Sequence, residues 1–288
     1  MPRFISSNLE SNRPNSDNTG LSTTVNYLNS VLTEPPDTMI ILGSGLGNFA
    51  DSVENAKVIP YRDIPSFKTS TAPGHAGRLI YGLVNKKKVL VMQGRFHVYE
   101  GYSPMESAYP VQVAAKLGIK KLIVSCACGG INSNYKVGDM VIINDYINFT
   151  HTTPLIGFEH SDYGERFVDM TNVFDKELIQ ATKTAAEIAK IKLQEGVYFY
   201  MPGPQFETPS EIKAMRILGA DLVGMSLVHE VVMARRCNVR VLAIGLVSNM
   251  ASGISKTALS EKDVLVAGTK AQSKFEKLIK SVLSRIAD

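Results

Sequence analysis

The chain has 288 residues, with 31 Lys and Arg against 27 Asp and Glu and a formal charge of +4 at neutral pH. At 44% apolar and 20% charged it can bury a sizeable core, and its 22 Gly and 13 Pro exclude collagen-like and low-complexity classes. So small a surplus, with Lys86–Lys88 read as a hairpin turn rather than a basic patch, argues against a nucleic-acid partner. Three cysteines (Cys126, Cys128, Cys237) cannot form a disulfide framework, which points to a reduced, cytoplasmic compartment. Cys126-x-Cys128 sits in an apolar run without a partner pair, so no metal site is expected. Residues 1–20 are rich in Ser and Asn, lack the apolar core of a signal peptide and read as a disordered tail. With no apolar run of about 18 residues, no membrane span is expected.

In chain order, Ser22–Leu32 carries Val25, Leu28, Val31 and Leu32 at helical spacing. A strand is predicted at Thr38–Leu42, ending in Gly43-Ser-Gly-Leu-Gly47. Arg78–Val84 and Lys88–Gln93 flank a turn and predict a hairpin. Pro104 opens a helix that runs to Leu117, with Gly118 as its stop. Leu122–Ala127 and Asp139–Asn144 read as strands, and the first is apolar throughout, as in the interior of a parallel sheet. Residues 145–173 show no period, a length of irregular chain that usually serves a site or an interface. Beyond them the spacing predicts helix 174–190, strand 195–201, helix 209–218, strand 221–225, helix 228–236, strand 239–248 and a last helix over 260–286. This alternation, without a repeat or linker, predicts one α/β domain over 21–288: a central mixed, largely parallel β-sheet flanked by helices.

Chemistry concentrates at strand ends. Gly43-Ser-Gly-Leu-Gly47 is neither a Walker loop nor a dinucleotide fingerprint, and reads equally as a tight turn or as a cradle of N–H groups and the Ser44 hydroxyl for an anion. After Gln93, an extended chain would put Arg95, His97 and Tyr99 on one face: a forked donor, a switchable proton and a hydroxyl with a stacking surface. His75, in Pro73-Gly-His-Ala-Gly77, reads by itself as structural. Glu207 precedes a capping box formed by Thr208 and Glu211, where it either reads a ligand or steadies the helix N-terminus; Phe206 beside it could stack on a flat heterocycle. Ser226 opens another strand-to-helix junction beside Met225, and Asn249 ends the last strand with an amide that can donate and accept at once. Together these ends supply an anion site (Ser44, Arg95, Ser226), a hydroxyl reader (Tyr99) and heterocycle readers (Glu207, Asn249).

Seven blocks carry a family resemblance. They are Gly43-Ser-Gly-Leu-Gly47, Gly74-His-Ala-Gly-Arg-Leu79, Met92-Gln-Gly-Arg-Phe-His-Val-Tyr-Glu-Gly-Tyr102, Ala127-Cys-Gly-Gly-Ile-Asn132, Gly203-Pro-Gln-Phe-Glu-Thr208, Gly219-Ala-Asp-Leu-Val-Gly-Met-Ser226 and Ser248-Asn-Met-Ala251. In these blocks the chain resembles the trimeric purine nucleoside phosphorylases. The resemblance implies reversible attack of inorganic phosphate, a co-substrate, on C1′ of a purine nucleoside, with no further cofactor. It implies a phosphate site at Ser44, His75, Arg95, His97, the backbone of Ala127, and Ser226, and a ribose site at Tyr99 and Met225. Glu207 and Asn249 would bind the base, with Phe206, Val223, Tyr198 and the backbone of Cys128 and Gly129 shaping its slot. Asn249, Glu207 and His97 are then the expected catalytic residues. Phe167 would be lent to a neighbouring subunit's site, which implies a homotrimer.

Three residues depart from the family pattern. Glu261 stands where a His often approaches the ribose 5′ end, and it is either a 5′-hydroxyl acceptor or a solvent-facing helix residue. Cys126 replaces an Asn, and His229 stands where Pro is typical. The Asn at 249 favours 6-oxopurines such as inosine and guanosine. A phosphorylase of another nucleoside, such as 5′-methylthioadenosine, and a non-catalytic nucleoside-binding relative are the alternatives.

Overall fold

The computed structural model describes residues 18–158 and 166–287. Helix α1 (Asn18–Val31) starts earlier than its apolar spacing suggests, so residues 18–20 are its first turn. The rest of the expected N-terminal tail lies outside the described residues. Strand β1 (Thr38–Ile41) runs parallel to both β4 (Lys87–Gln93) and β5 (Lys121–Gly130). The expected hairpin forms between β3 (Arg78–Val84) and β4, with Asn85 and Lys86 both at positive φ, as a two-residue turn matched to strand twist requires. An edge strand β2 (Glu54–Pro60) pairs with β3; Ile59 is its one buried residue while the apolar Val58 beside it is exposed, so its apolar residues mark no single face.

Helix α2 (Pro104–Lys116) begins at a reciprocal cap: Glu106 N–H donates to Ser103 Oγ and Ser103 N–H to Glu106 Oε2. The second half of the chain supplies β6 (Met140–Asn148), α3 (Lys176–Ala189), β7 (Leu193–Tyr200), α4 (Pro209–Ile217), β8 (Leu222–Gly224), α5 (Val228–Arg236), β9 (Arg240–Met250) and α6 (Glu261–Leu283). Helices α2 and α5 pack together on one side of the sheet, and α3 and α6 on the other. Strand β5 is buried on both faces: Leu122, Val124, Cys126 and Cys128 enter one core layer and Ile123 the other.

The sheet order is β2-β3-β4-β1-β5-β8-β7-β6-β9, with β9 returning to pair with β5. Five strands therefore close on themselves, and the other four extend from β5 through β1, β4 and β3 to β2. Closure happens because β5 splits. A register shift at Cys128/Gly129 lets its last residues pair with β9 on one side while Gly129 and Gly130 pair antiparallel with Val223 and Leu222 of β8 on the other. Strands β6, β7 and β8 thus run opposite to β1, β4, β5 and β9. The sheet is mixed as expected, but among the described residues parallel pairing predominates only narrowly.

The loop after β1 is pressed against α6. A Cβ on Gly268 would lie 2.5 Å from Gly45 Cα, and one on Gly43 would lie 2.7 Å from Cys126 Cα, so backbone meets backbone at both places. Gly268→Ala should therefore cost about 1–3 kcal/mol by overpacking, measured as a lowered Tm; an unchanged Tm would contradict this close approach.

Candidate active site

The ends of β1, β4, β5 and β9 open at one side of the sheet, and the split in β5 brings the ends of β7 and β8 to the same place from the opposite direction. Between them lies a cavity of about 320 Å³, the size of a small-molecule site. Arg95 lies in its wall, 1% exposed. Its Nε lies 3.1 Å from Glu230 Oε1, its Nη1 donates to Ser226 Oγ at 3.0 Å, and its Nη2 has no partner among the described residues. A buried guanidinium without a counterion would cost several kcal/mol, so Glu230 is a condition for placing Arg95 here. Burial pushes the Glu230 carboxyl up and Arg95 draws it back down. Sequence reasoning missed Glu230; the only signal was an acid one turn after Ser226 in the first turn of α5.

Ser226 is held from both sides. Its N–H donates to the Tyr198 hydroxyl at 3.2 Å, and that hydroxyl lies 3.3 Å from the Ser226 carbonyl. Beyond it Leu227 takes φ 57° and ψ −33°, with Val228 N–H donating to the Ser226 carbonyl at 2.8 Å, a strained three-residue turn for a branched side chain.

His75 Nδ1 accepts the Arg95 backbone N–H at 2.9 Å. The ring proton therefore belongs on Nε2, which lies 3.3 Å from Ser44 Oγ. Burial, then the nearby His97 and Arg95, lower His75 to about 3, so the ring is neutral. His97 Nδ1 lies 2.7 Å from Glu100 Oε1, and the same carboxylate oxygen accepts the His97 backbone N–H at 2.9 Å. Burial raises Glu100, but hydrogen bonds from His97 and from the Thr71 N–H and hydroxyl outweigh it and hold the carboxyl at about 2. Burial lowers His97 despite that partner. A neutral ring donating from Nδ1 to an ionised carboxylate leaves Nε2 as a bare acceptor. The His97-x-x-Glu100 spacing was a readable signal that the sequence analysis passed over.

The expected extended run through Arg95, His97 and Tyr99 is not what forms. Strand β4 ends at Gln93, Gly94 takes φ 115°, and Val98–Glu100 is a turn of 3₁₀ helix capped by His97. The three side chains still line the cavity, because the tight turn folds Tyr99 back onto His97, the rings stacked with centroids 4.5 Å apart.

Asn249, Val223 and Gly129 adjoin across the split in β5. The Asn249 amide is oriented from two sides: Oδ1 accepts the Ser248 hydroxyl at 2.8 Å and Nδ2 donates to the Met250 carbonyl at 3.2 Å. One N–H remains to donate into the cavity. Glu207 is 7% exposed, and burial raises its carboxyl, opposed by its own backbone N–H. The cap that follows does form from Thr208 and Glu211, so Glu207 is not the residue that caps α4 and its carboxyl is left to face the cavity. Ser44, Ala127, Cys128, Phe206, Met225 and Glu261 complete the expected lining. Pro73, Val264 and Leu265 also line it and were not anticipated.

Two expected residues stand behind the wall rather than in it. Tyr198 is wholly buried and buttresses Ser226 and Gly224, where a Cβ would lie 2.5 Å from its hydroxyl. His75 backs Ser44 and Arg95. Phe167 is 85% exposed and touches no part of this chain's own cavity. Cys126 is buried beside Gly43. Among the described residues no group of three or more His, Cys, Asp or Glu could hold a metal ion, and no helix is long and apolar enough to cross a membrane.

A sequence profile of the phosphorylase superfamily matches residues 37–284. The chain is 44% identical over 259 residues to purine nucleoside phosphorylase 1 of Bacillus subtilis, covering 90% of this chain and 96% of that one. It is 39% identical over 270 residues to purine nucleoside phosphorylase of Bos taurus, covering 91% and 93%. A crystal structure of Schistosoma purine nucleoside phosphorylase in complex with hypoxanthine superposes with a TM-score of 0.89 at 35% identity, covering 94% of this chain and 98% of that one.

Because His75 is lowered from 6.5 to about 3, the unfolded chain takes up this proton below about pH 6.5 while the folded one does not. This group's contribution therefore erodes stability as pH falls from 6.5 toward 3. In an NMR titration of the five histidines, the His75 ring should not titrate between pH 5 and 8; a midpoint near 6.5 would overturn its neutral, Nε2-protonated assignment.

Proposed function

The chain belongs to the phosphorylase superfamily, and on that premise we propose that it acts as a purine nucleoside phosphorylase. It catalyses the reversible phosphorolysis of 6-oxopurine nucleosides to free base and pentose 1-phosphate. The carrying observation is that a buried guanidinium, its Nη2 without a partner among the described residues, shares one cavity with a buried carboxyl and an oriented amide.

In this reading phosphate lies between Arg95, Ser226, the Ser44 loop and the Ala127 backbone, with His75 aiming Ser44. His97 Nε2 accepts a proton from the phosphate monoanion, and the ionised Glu100 stabilises the imidazolium that results. The oxyanion so formed attacks C1′ of a ribose held over Tyr99 and Met225. As the glycosidic bond breaks, the sugar gains oxocarbenium character and the purine gains negative charge, which the free N–H of Asn249 meets at N7. Glu207, ionised, accepts the N1 proton of hypoxanthine or guanine, while Phe206, Val223 and the Cys128–Gly129 backbone bound the ring. An adenine presents no N1 proton to Glu207, which supports the 6-oxopurine preference. Phosphate is itself the nucleophile, so the reaction calls on no cofactor.

Phe167, large, apolar and exposed, is suited to close a neighbouring subunit's cavity, and we assign the assembly as a homotrimer working in purine salvage in the cytoplasm. Glu261 heads α6 and lines the cavity, where it suits a 5′-hydroxyl and disfavours a 5′-phosphate or 5′-methylthio group.

Inosine and guanosine should release base only when phosphate is present, and adenosine and methylthioadenosine far more slowly. Release without phosphate, or equal efficiency on adenosine, would overturn the reading. Asn249→Ala should lower kcat on inosine by about 10²–10³-fold, the loss typical of one transition-state donor; near-parental kcat would refute its role. Since burial raises Glu207, the acid limb of kcat/KM for inosine should lie above the ordinary 4.5 and vanish in Glu207→Gln.

A further inference from the structure

Behind Ser226 lies a second cavity of about 10 Å³, bordered by Phe96, Ser107, Tyr200, Leu227, His229 and Glu230. Its volume is about what a single water requires. Two of the side chains on it carry buried polar atoms with no partner among the described residues: His229 Nδ1 and Glu230 Oε2. His229 Nε2 lies 3.2 Å from the Tyr200 hydroxyl. The phenol is the better donor and the imidazole the better acceptor, so Nε2 accepts and the ring proton sits on Nδ1. Burial lowers His229 to about 4, which keeps the ring neutral with that single proton. His229 and Glu230, consecutive in α5, thus bring an unmet donor and an unmet acceptor to the lining of this cavity.

The acceptor is the second oxygen of the carboxylate whose first oxygen holds Arg95. We propose that His229 is a positioning residue for phosphate: its Nδ1–H, relayed through one buried water, fixes the Glu230 carboxylate and through it the aim of the Arg95 guanidinium. Tyr200 sets the tautomer that makes this possible. Left unsatisfied, Glu230 Oε2 would be a buried anionic acceptor with every incentive to rotate toward the Arg95 edge that the ligand needs. The chain Tyr200–His229–water–Glu230–Arg95 joins β7 and α5 to the end of β4.

This inference rests on the phosphate reading of the main cavity. His229→Leu removes the donor and should raise the phosphate KM about tenfold, with kcat and the inosine KM within about twofold of the parent. His229→Asn, whose Nδ2 can stand where Nδ1 stood, should restore it. Tyr200→Phe, which leaves His229 in place but frees its tautomer, should raise the phosphate KM about threefold and serves as the test if His229→Leu does not fold. An unaltered phosphate KM in the folded variants, a parallel rise for inosine, or failure of Asn to rescue would overturn the proposal. Arg95→Gln separates the two levels: if it leaves the phosphate KM unchanged the phosphate site itself is misassigned, whereas its loss alongside an unaffected His229→Leu removes only this inference.

Discussion

A cation taken out of water must be answered at once, and Arg95 is such a cation. Its guanidinium leaves the end of β4 and is met by the Glu230 carboxylate and the Ser226 hydroxyl, both from the β8–α5 junction. That pairing ties the first half of the chain to the second across the cavity. It also leaves Nη2 without a partner among the described residues, in a side chain that lines the cavity. Breaking such a pair by removing one partner leaves the other buried and alone, which typically costs about 3–5 kcal/mol.

The neighbouring groups follow from the same constraint. With a guanidinium already present, a second buried cation would be repelled, and both His75 and His97 are held below their ordinary range by burial, with Arg95 contributing. The histidines can then serve as fixed dipoles: His75 with its proton on Nε2 toward Ser44, His97 with a bare Nε2. Glycines bring backbone close where side chains would intervene. Gly94 takes a positive φ against His75, and Gly45 lies against Gly268. An anion arriving here would meet oriented N–H and O–H groups and one guanidinium edge rather than a pool of positive charge.

The other end of the cavity depends on the split in β5. Pairing one strand with β9 and β8 at once curls the sheet and places Gly129, Val223 and Asn249 side by side. The absence of a side chain at Gly129 matters, since a Cβ there would lie 3.2 Å from Val223 Cγ1 and 3.4 Å from Asn249 Nδ2. The Ser248 hydroxyl and the Met250 carbonyl fix the Asn249 amide before any ligand arrives, which is the pre-organisation that stabilising a developing charge requires.

Sequence alone determined the strand–helix alternation, the hairpin, the capped helices and the clustering of chemistry at strand ends, because period, turn residues and caps are local signals. It also singled out Arg95, His97, Tyr99, Glu207, Ser226 and Asn249, each placed by a short motif. Tertiary structure decided what local signals could not carry. Edge strand β2 has no apolar period, the sense of β6–β8 depends on pairing between distant segments, and the alternate-face logic for residues 95–99 gave way to a tight turn that reached the same cavity. Glu230 acquires its role only because the start of α5 is brought to Arg95, 135 residues away in sequence. His75 sits in the same motif as the lining residue Pro73, and Tyr198 lies at the buried end of strand β7 beside the site; only packing separates a side chain that faces the cavity from one that braces the wall behind it.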